Sequence, residues 1–254
     1  MTTYKAAVIG LGRIGADFED NHCSAYAHSG RTELVAVCDT LFSKAISVAD
    51  RFNAKPYSDA EAMVKTEKLD IVSVCVPHEK HSEVINDVVS YVKAIYCEKP
   101  IANTIKDAQS VINACKKAGV ILQVNHQRRF INPVFRYSRG IMNTGTHMFD
   151  LLRELFGEIE IVTSYFTNDK LDPNIGGVIR TERGLQILIL PEETDKPVFK
   201  FDCAEIFGSP LTLGVIELCD CLDQKRESKS SGVDGLEALK LVLKFKELAD
   251  ESKG

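Results

Sequence analysis

The chain has 254 residues, 44% hydrophobic and 26% charged, enough apolar material for a sizeable core and too much for a solvated disordered chain. Thirty-one Lys and Arg stand against 36 Asp and Glu, a formal charge of -5, and the basic residues are scattered rather than massed, which argues against a nucleic-acid partner. No stretch approaches the roughly 18 apolar residues of a membrane span, and the first apolar run is too short for a signal peptide, so a cytoplasmic protein with no membrane partner is expected.

In chain order, residues 5–9 read as a short apolar strand, and Gly10-Leu11-Gly12-Arg13-Ile14-Gly15 follows it directly. That spacing predicts a phosphate-binding turn opening a helix: one glycine for the tight turn, one for backbone approach to pyrophosphate, one for helix packing on the strand. The helix N-terminus would offer unpaired N–H groups to the anion. A second strand, 33–38, ends at Asp39, 24 residues beyond Gly15, where a carboxylate can accept hydrogen bonds from both adenosine ribose hydroxyls and would repel a 2′-phosphate. Thr40 and Leu41 follow with no arginine, which favours NAD over NADP despite the nearby Lys44; a helix N-cap is the alternative reading of Asp39.

Helical patterns at 43–52, 82–91 and 105–118 then alternate with strands at 71–76, 94–97 and 120–124, and Gly119 fits a helix C-cap. This is the order of a doubly wound parallel sheet. Ligands bind such sheets beyond the carboxyl ends of the strands, where Pro77-His78-Glu79-Lys80-His81 and Glu98-Lys99-Pro100 stand. A lysine there can relay a proton to or from a substrate hydroxyl, with Glu98 to hold it; His81 is read as a nicotinamide-pocket residue or a helix-start cap. Asn143, His147 and Asp150 are spaced to share one helix face in a helical stretch running through Leu155.

From about Glu158 the pattern changes to consecutive strand-like runs, 160–166, 177–180, 185–190 and 198–207, which predict antiparallel β structure. Residues 225–231 read as a polar linker, and 236–249 as a docked amphipathic helix. The expected fold class is α/β, a Rossmann doubly wound parallel sheet over 1–124. A shortened α+β region with a mainly antiparallel sheet follows over 125–233, and a C-terminal helix over 234–254 packs back on the Rossmann sheet. Eight cysteines without a CxxC pair read as buried reduced thiols, and no metal site is expected. His22, His28 and His126 carry no comparable signal.

The glycine loop, Pro77 to His81, the Glu98-Lys99-Pro100 tripeptide and Gly145-Thr146-His147 through Asp150 together resemble the family of glucose-fructose oxidoreductase, inositol dehydrogenase and MocA, which are NAD(P)-dependent oxidoreductases. The resemblance implies Lys99 as proton relay, Pro100 after a cis peptide and His147 as the histidine that positions the substrate hydroxyl. Gly10, Gly12, Arg13, Ile14, Gly15, Asp39, Pro77, His81 and Glu98 would hold the dinucleotide. Asn125, Arg129 and Asp150 would face the substrate, a polyol, sugar or sugar-nucleotide, and the resemblance implies a homo-oligomer. Family members usually carry an aspartate four residues before the histidine, where this chain has Asn143; an amide can bond a hydroxyl but cannot take its proton, which leaves proton transfer to Lys99 and His147. The stretch between Phe130 and Asn143 is also short for the family, so a catalytically silent NAD-binding regulatory or assembly subunit is the competing expectation.

Overall fold

A computed structural model describes residues 2–130, 142, 145–166, 175–182, 186–189 and 209–251 of the chain. The strands β1 (Tyr4–Ile9), β2 (Thr32–Cys38), β3 (Lys55–Tyr57), β4 (Ile71–Val74), β5 (Ala94–Cys97) and β6 (Ile121–Val124) form one parallel sheet in the order β3-β2-β1-β4-β5-β6. The strand order reverses between β1 and β4, and the crevice outside that switch point is where open α/β sheets take ligands. β4 and β5 are buried at every position, as expected for strands covered on both faces. β4 ends at Val74, short of the predicted Val76, because the chain leaves the sheet at Cys75 to pass the glycine loop.

One face of the sheet is covered by α3 (Ala60–Glu67), α4 (His81–Val88) and α5 (Ile105–Ala118), through Met63, Ile85, Val111 and their neighbours. The other is covered by α1 (His22–His28), α2 (Phe42–Phe52) and a helix that follows much later in the chain, α7 (Pro210–Gln224). Side-chain oxygens of Asn21, Asp59, Thr104 and Ser209 cap α1, α3, α5 and α7, each satisfying an otherwise orphaned N–H. Gly119 closes α5 in the left-handed conformation that its sequence position suggests.

Several local expectations are corrected. The glycine loop does not open a regular helix: Arg13–Asp17 form a single π-helical turn that stops at extended Phe18, and α1 restarts only where Asn21 caps it. Residues 225–231 are not a solvated linker. Ser228 and Ser230 are buried, Ser230 accepts from the Val124 N–H and donates back to its carbonyl, and Ser231 bridges Gln123, so the segment straps the β6 edge. Such cover removes an unpaired strand edge from solvent.

The second sheet is antiparallel, β7 (Ile159–Phe166), β8 (Ile175–Thr181) and β9 (Gln186–Ile189) in sequential order. The strand expected at 198–207 lies outside the described residues. α6 (Thr146–Phe156) and α8 (Gly232–Glu251) cover one face of this sheet with Phe149, Leu152, Val242 and Phe245. α8 is shared: Leu236 and Leu239 belong to the core of the large sheet, and Val242, Phe245 and Ala249 to that of the small one. All seven described cysteines are buried and free.

Candidate active site

Two contiguous clefts open at the carboxyl ends of β1, β2, β4 and β5, sharing Cys75, Val76 and Pro77 in their walls. The outer one, of about 810 Å³, runs past Gly10, Gly12, Asp39, Thr40, Leu41 and Lys44. The inner one, of about 500 Å³, is lined by Arg13, Ile14, Pro77, His81, Glu98, Lys99, Asn125 and His147, among others.

The glycines of the loop are held for different reasons. Gly10 lies at φ +87°, and a Cβ there would stand 2.7 Å from the backbone of Cys75 and Val76; one on Gly15 would stand 2.1 Å from the Gly10 carbonyl oxygen. Both are dictated by packing within the chain. A Cβ on Gly12 would meet nothing within 4 Å, so the space over Gly12 is left open, as backbone approach to a pyrophosphate requires. Asp39 stands beside the loop, Oδ2 accepting from the Leu11 N–H and Oδ1 from the Leu41 N–H, both at 2.9 Å. It is not the N-cap of α2, a position held by Leu41. Each carboxylate oxygen keeps a lone pair for a ribose hydroxyl. Lys44 pairs with Asp17 at 3.1 Å. These features fit a dinucleotide: Gly12, Arg13 and Ile14 would face its phosphates and Asp39 its ribose.

The inner cleft joins residues from both parts of the chain. The Lys99-Pro100 peptide is cis, as the resemblance implied. Lys99 follows β5 and His147 sits in the first turn of α6, and both line the same cavity. Asn143 lies outside the described residues. His81 presents its ring nitrogens to the carbonyls of Pro100 and Val76, each at 3.0 Å. Burial lowers its pKa against the raising effect of those carbonyls, and the ring stands between the turn after β4 and the turn after β5. Arg13 stacks on Phe18, 4.6 Å from the ring centroid, at the cleft wall.

Beneath the cleft Glu98 is buried and its carboxylate is fully engaged. Oε1 accepts from His22 Nε2 at 2.9 Å and from Asn125 Nδ2, and Oε2 from the Lys99 N–H at 3.2 Å. Burial alone would raise its pKa; the His22 hydrogen bond, the Lys99 charge and the Asn125 hydrogen bond outweigh it and hold the carboxyl below its ordinary value. Asn125 Oδ1 in turn accepts from Tyr96 Oη at 2.8 Å. Asn125 thus lines the cleft with both ends of its amide already bonded.

Arg129 and Asp150 do not line either cleft. Arg129 donates from Nε and Nη2 to the two Asp150 oxygens, at 2.5 and 2.7 Å, and reaches Glu154 and Asp234 as well. With side-chain exposures of 7% and 1%, this pair is an internal clamp joining the turn after β6 to α6 and α8. Sequence reasoning passed over two histidines. His22 is wholly buried against Glu98, which stands 76 positions away. His126 is buried edge-on to His147, ring centroids 5.6 Å apart, with neither ring nitrogen hydrogen-bonded among the described residues; burial lowers its pKa and keeps it neutral. No local motif announces either.

A six-stranded parallel sheet with a glycine loop, an acidic strand end and a loaded cleft at the switch point defines a dinucleotide-binding Rossmann fold. Residues 4–126 match the model of the oxidoreductase family with an NAD-binding Rossmann fold, the Gfo/Idh/MocA family. It is 33% identical over 132 residues to inositol 2-dehydrogenase of Salmonella typhimurium, covering 50% of this chain and 38% of that protein. It is 34% identical over 127 residues to D-glucoside 3-dehydrogenase of Escherichia coli, covering 50% and 35%. The aligned region thus spans only about two fifths of these curated relatives. Among solved structures, an oxidoreductase from Agrobacterium radiobacter in complex with NAD+, L-tartaric acid and magnesium superposes with a TM-score of 0.83 at 16% identity, covering 98% of this chain and 97% of that one. The WlbA dehydrogenase of Bordetella pertussis in complex with NADH and UDP-GlcNAcA does so at 0.75 and 21% identity, covering 98% and 97%. These likenesses extend the shared fold across both sheets. No described helix is long and apolar enough to cross a membrane.

Proposed function

We propose that the chain is an NAD-dependent oxidoreductase acting on a carbinol carbon of a sugar, cyclitol or sugar-nucleotide. One observation carries this reading: Lys99 and His147, from opposite parts of the chain, line one cleft that continues past the glycine loop to Asp39. Bound nicotinamide would supply the hydride acceptor. The chain's own residues do the rest. Gly10, Gly12, Arg13, Ile14 and Gly15 form the phosphate cradle, and Asp39, with Lys44 paired to Asp17, selects the unphosphorylated ribose. Pro77, His81 and Glu98 shape the nicotinamide side. His147, with Asn143, orients the substrate hydroxyl while Lys99 Nζ takes its proton, and Asn125 borders the substrate. Arg129 and Asp150 serve by fixing the His147 helix against the turn after β6.

The names of the relatives support the substrate class, since inositol and glucoside dehydrogenases act on secondary alcohols of rings. Lys99→Ala tests the assignment: NAD binding followed by nucleotide fluorescence is expected to persist while turnover on a polyol and sugar panel falls about 10²–10⁴-fold, the usual worth of a positioned acid–base group. Undiminished turnover would reject Lys99 as the relay. Tight NAD binding with no turnover of any panel member in the unaltered chain would favour the silent regulatory subunit.

A further inference from the structure

Beneath the cleft lies a polar layer inside the large-sheet core: His22 and Tyr26 of α1, Ser73 of β4, Tyr96 of β5, then Glu98 and Asn125. Each is at most 6% exposed. Polar groups are retained in such a place only when their hydrogen bonds close. His22 Nε2 meets Glu98 Oε1 at 2.9 Å, His22 Nδ1 meets Ser73 Oγ at 2.7 Å, and Ser73 Oγ meets Tyr26 Oη at 2.8 Å.

The direction of this chain follows from counting protons. An ionised carboxylate only accepts, so His22 Nε2 carries a hydrogen. With a neutral ring, Nδ1 accepts from the Ser73 hydroxyl, and Tyr26 donates to Ser73; every donor then has an acceptor. An imidazolium would donate from both nitrogens. Ser73 would then have to donate to Tyr26, or Tyr26 and His22 would both donate to Ser73, and either arrangement strands a hydroxyl proton that has no acceptor among the described residues.

We infer that His22 is a positioning residue: a neutral, Nε2-protonated imidazole that ends a one-way hydrogen-bond chain from Tyr26 and holds the Glu98 carboxylate under the Lys99 end of the cleft. The assignment rests on the reading of Lys99 as proton carrier, and it extends that reading to a residue that lines neither cleft. Other titratable groups around Glu98 leave it this task. Burial pushes the Cys75 and Cys97 thiols and the Tyr96 hydroxyl up, so these three stay uncharged, and the His81 ring nitrogens face the Pro100 and Val76 carbonyls rather than Glu98. Lys99 is the remaining charge, and Asn125 the remaining side-chain donor.

The test uses the full chain with histidine-¹⁵N and glutamate-¹³C labels, first without cofactor. At neutral pH the His22 ring is expected as the neutral Nε2–H tautomer; an imidazolium or an Nδ1–H tautomer would overturn the inference. His22→Phe removes the donor, and the Glu98 carboxyl titration is expected to move up by about one to two pH units, the worth of one charge-assisted hydrogen bond. His22→Gln supplies an amide N–H for Glu98 and a carbonyl acceptor for Ser73, and is expected to restore the Glu98 titration toward its original position. With NAD and substrate, the acid limb of the turnover profile should move up in His22→Phe and return in His22→Gln, with KM for the alcohol unchanged. Phe and Gln variants that behave alike, or a Glu98 titration indifferent to both, would leave His22 as packing only. Absence of turnover in the unaltered chain would remove the role of Lys99 while the two NMR readouts still decide that of His22. Should the Phe variant fail to fold, the tautomer and the Gln variant decide it.

Discussion

Replacing Gly12 with alanine separates a glycine kept for a ligand from one kept for the fold. Gly12 sits at φ -66° and ψ -161°, backbone that alanine adopts without strain, and its added Cβ would meet no protein atom within 4 Å. The unfolded chain loses conformational freedom, so Gly12→Ala should stabilise the protein by about 0.4–1 kcal/mol, or raise Tm by about 2–4 °C at most for a domain of this size. The same methyl fills the space that a pyrophosphate needs against the loop. Losing one hydrogen bond to a charged group costs about 1.5–3 kcal/mol, so the NAD dissociation constant should rise about 10- to 100-fold. Gly15→Ala is the contrast: its Cβ would stand 2.1 Å from the Gly10 carbonyl oxygen, an overpacking worth about 1–3 kcal/mol or more of destabilisation. Thermal melting and NAD titration calorimetry on both variants read the two effects separately. A Gly12→Ala protein that melts well below the parent, or binds NAD as tightly as the parent, would refute the assignment of that open space to the cofactor.

Arg129→Met leaves the Asp150 carboxylate, 1% exposed, without its bidentate partner, and should cost about 3–5 kcal/mol in urea unfolding; adding Asp150→Leu should recover much of it, and a single-variant cost below about 1 kcal/mol would contradict the clamp. Three carboxyls predict the acid limb of stability. Burial would raise Glu67, Glu98 and Glu217, but hydrogen bonds from Lys55 and Tyr57, from His22, and from Arg226 with the Lys229 N–H hold each below its ordinary 4.5. Folded-state values below the unfolded ones mean stability is fully present above that value and lost as pH falls through the folded values. Urea midpoints followed from about pH 6 to about pH 3 should therefore drop, and Glu217→Gln should flatten part of the slope; a midpoint that does not change on acidification would count against all three assignments.

Much of this architecture was legible because its signals are local. Continuous apolar runs, the glycine spacing and the acidic residue at the end of β2 each act within a few positions, and they located all the longer strands of the large sheet. β3, three residues long and containing Pro56, was too brief to show a period. α7 was missed because Gly214, against the Tyr96 ring and accepting from Gln123 Nε2 at its carbonyl, interrupts the apolar stripe of Leu211, Val215 and Leu218 that packs on the sheet. The site divides in the same way. Lys99 and His147 stand in recognisable motifs, whereas the pairing of His22 with Glu98, and of Arg129 with Asp150, depends on which elements the fold brings together. Arg129 and Asp150 are expected at the substrate from the family resemblance; in the structure they bind each other.

The twenty-residue helix Gly232–Glu251 enters two separate apolar interiors, one at each end. It works as an axle seated in two bearings. Leu236 and Leu239 seat one end and Val242, Phe245 and Ala249 the other, so displacing either lobe from the rod would expose apolar side chains. The sheet that leads to Lys99 and the lobe that carries His147 thus share one rod, so a kink in that helix would disturb both walls of their common cleft.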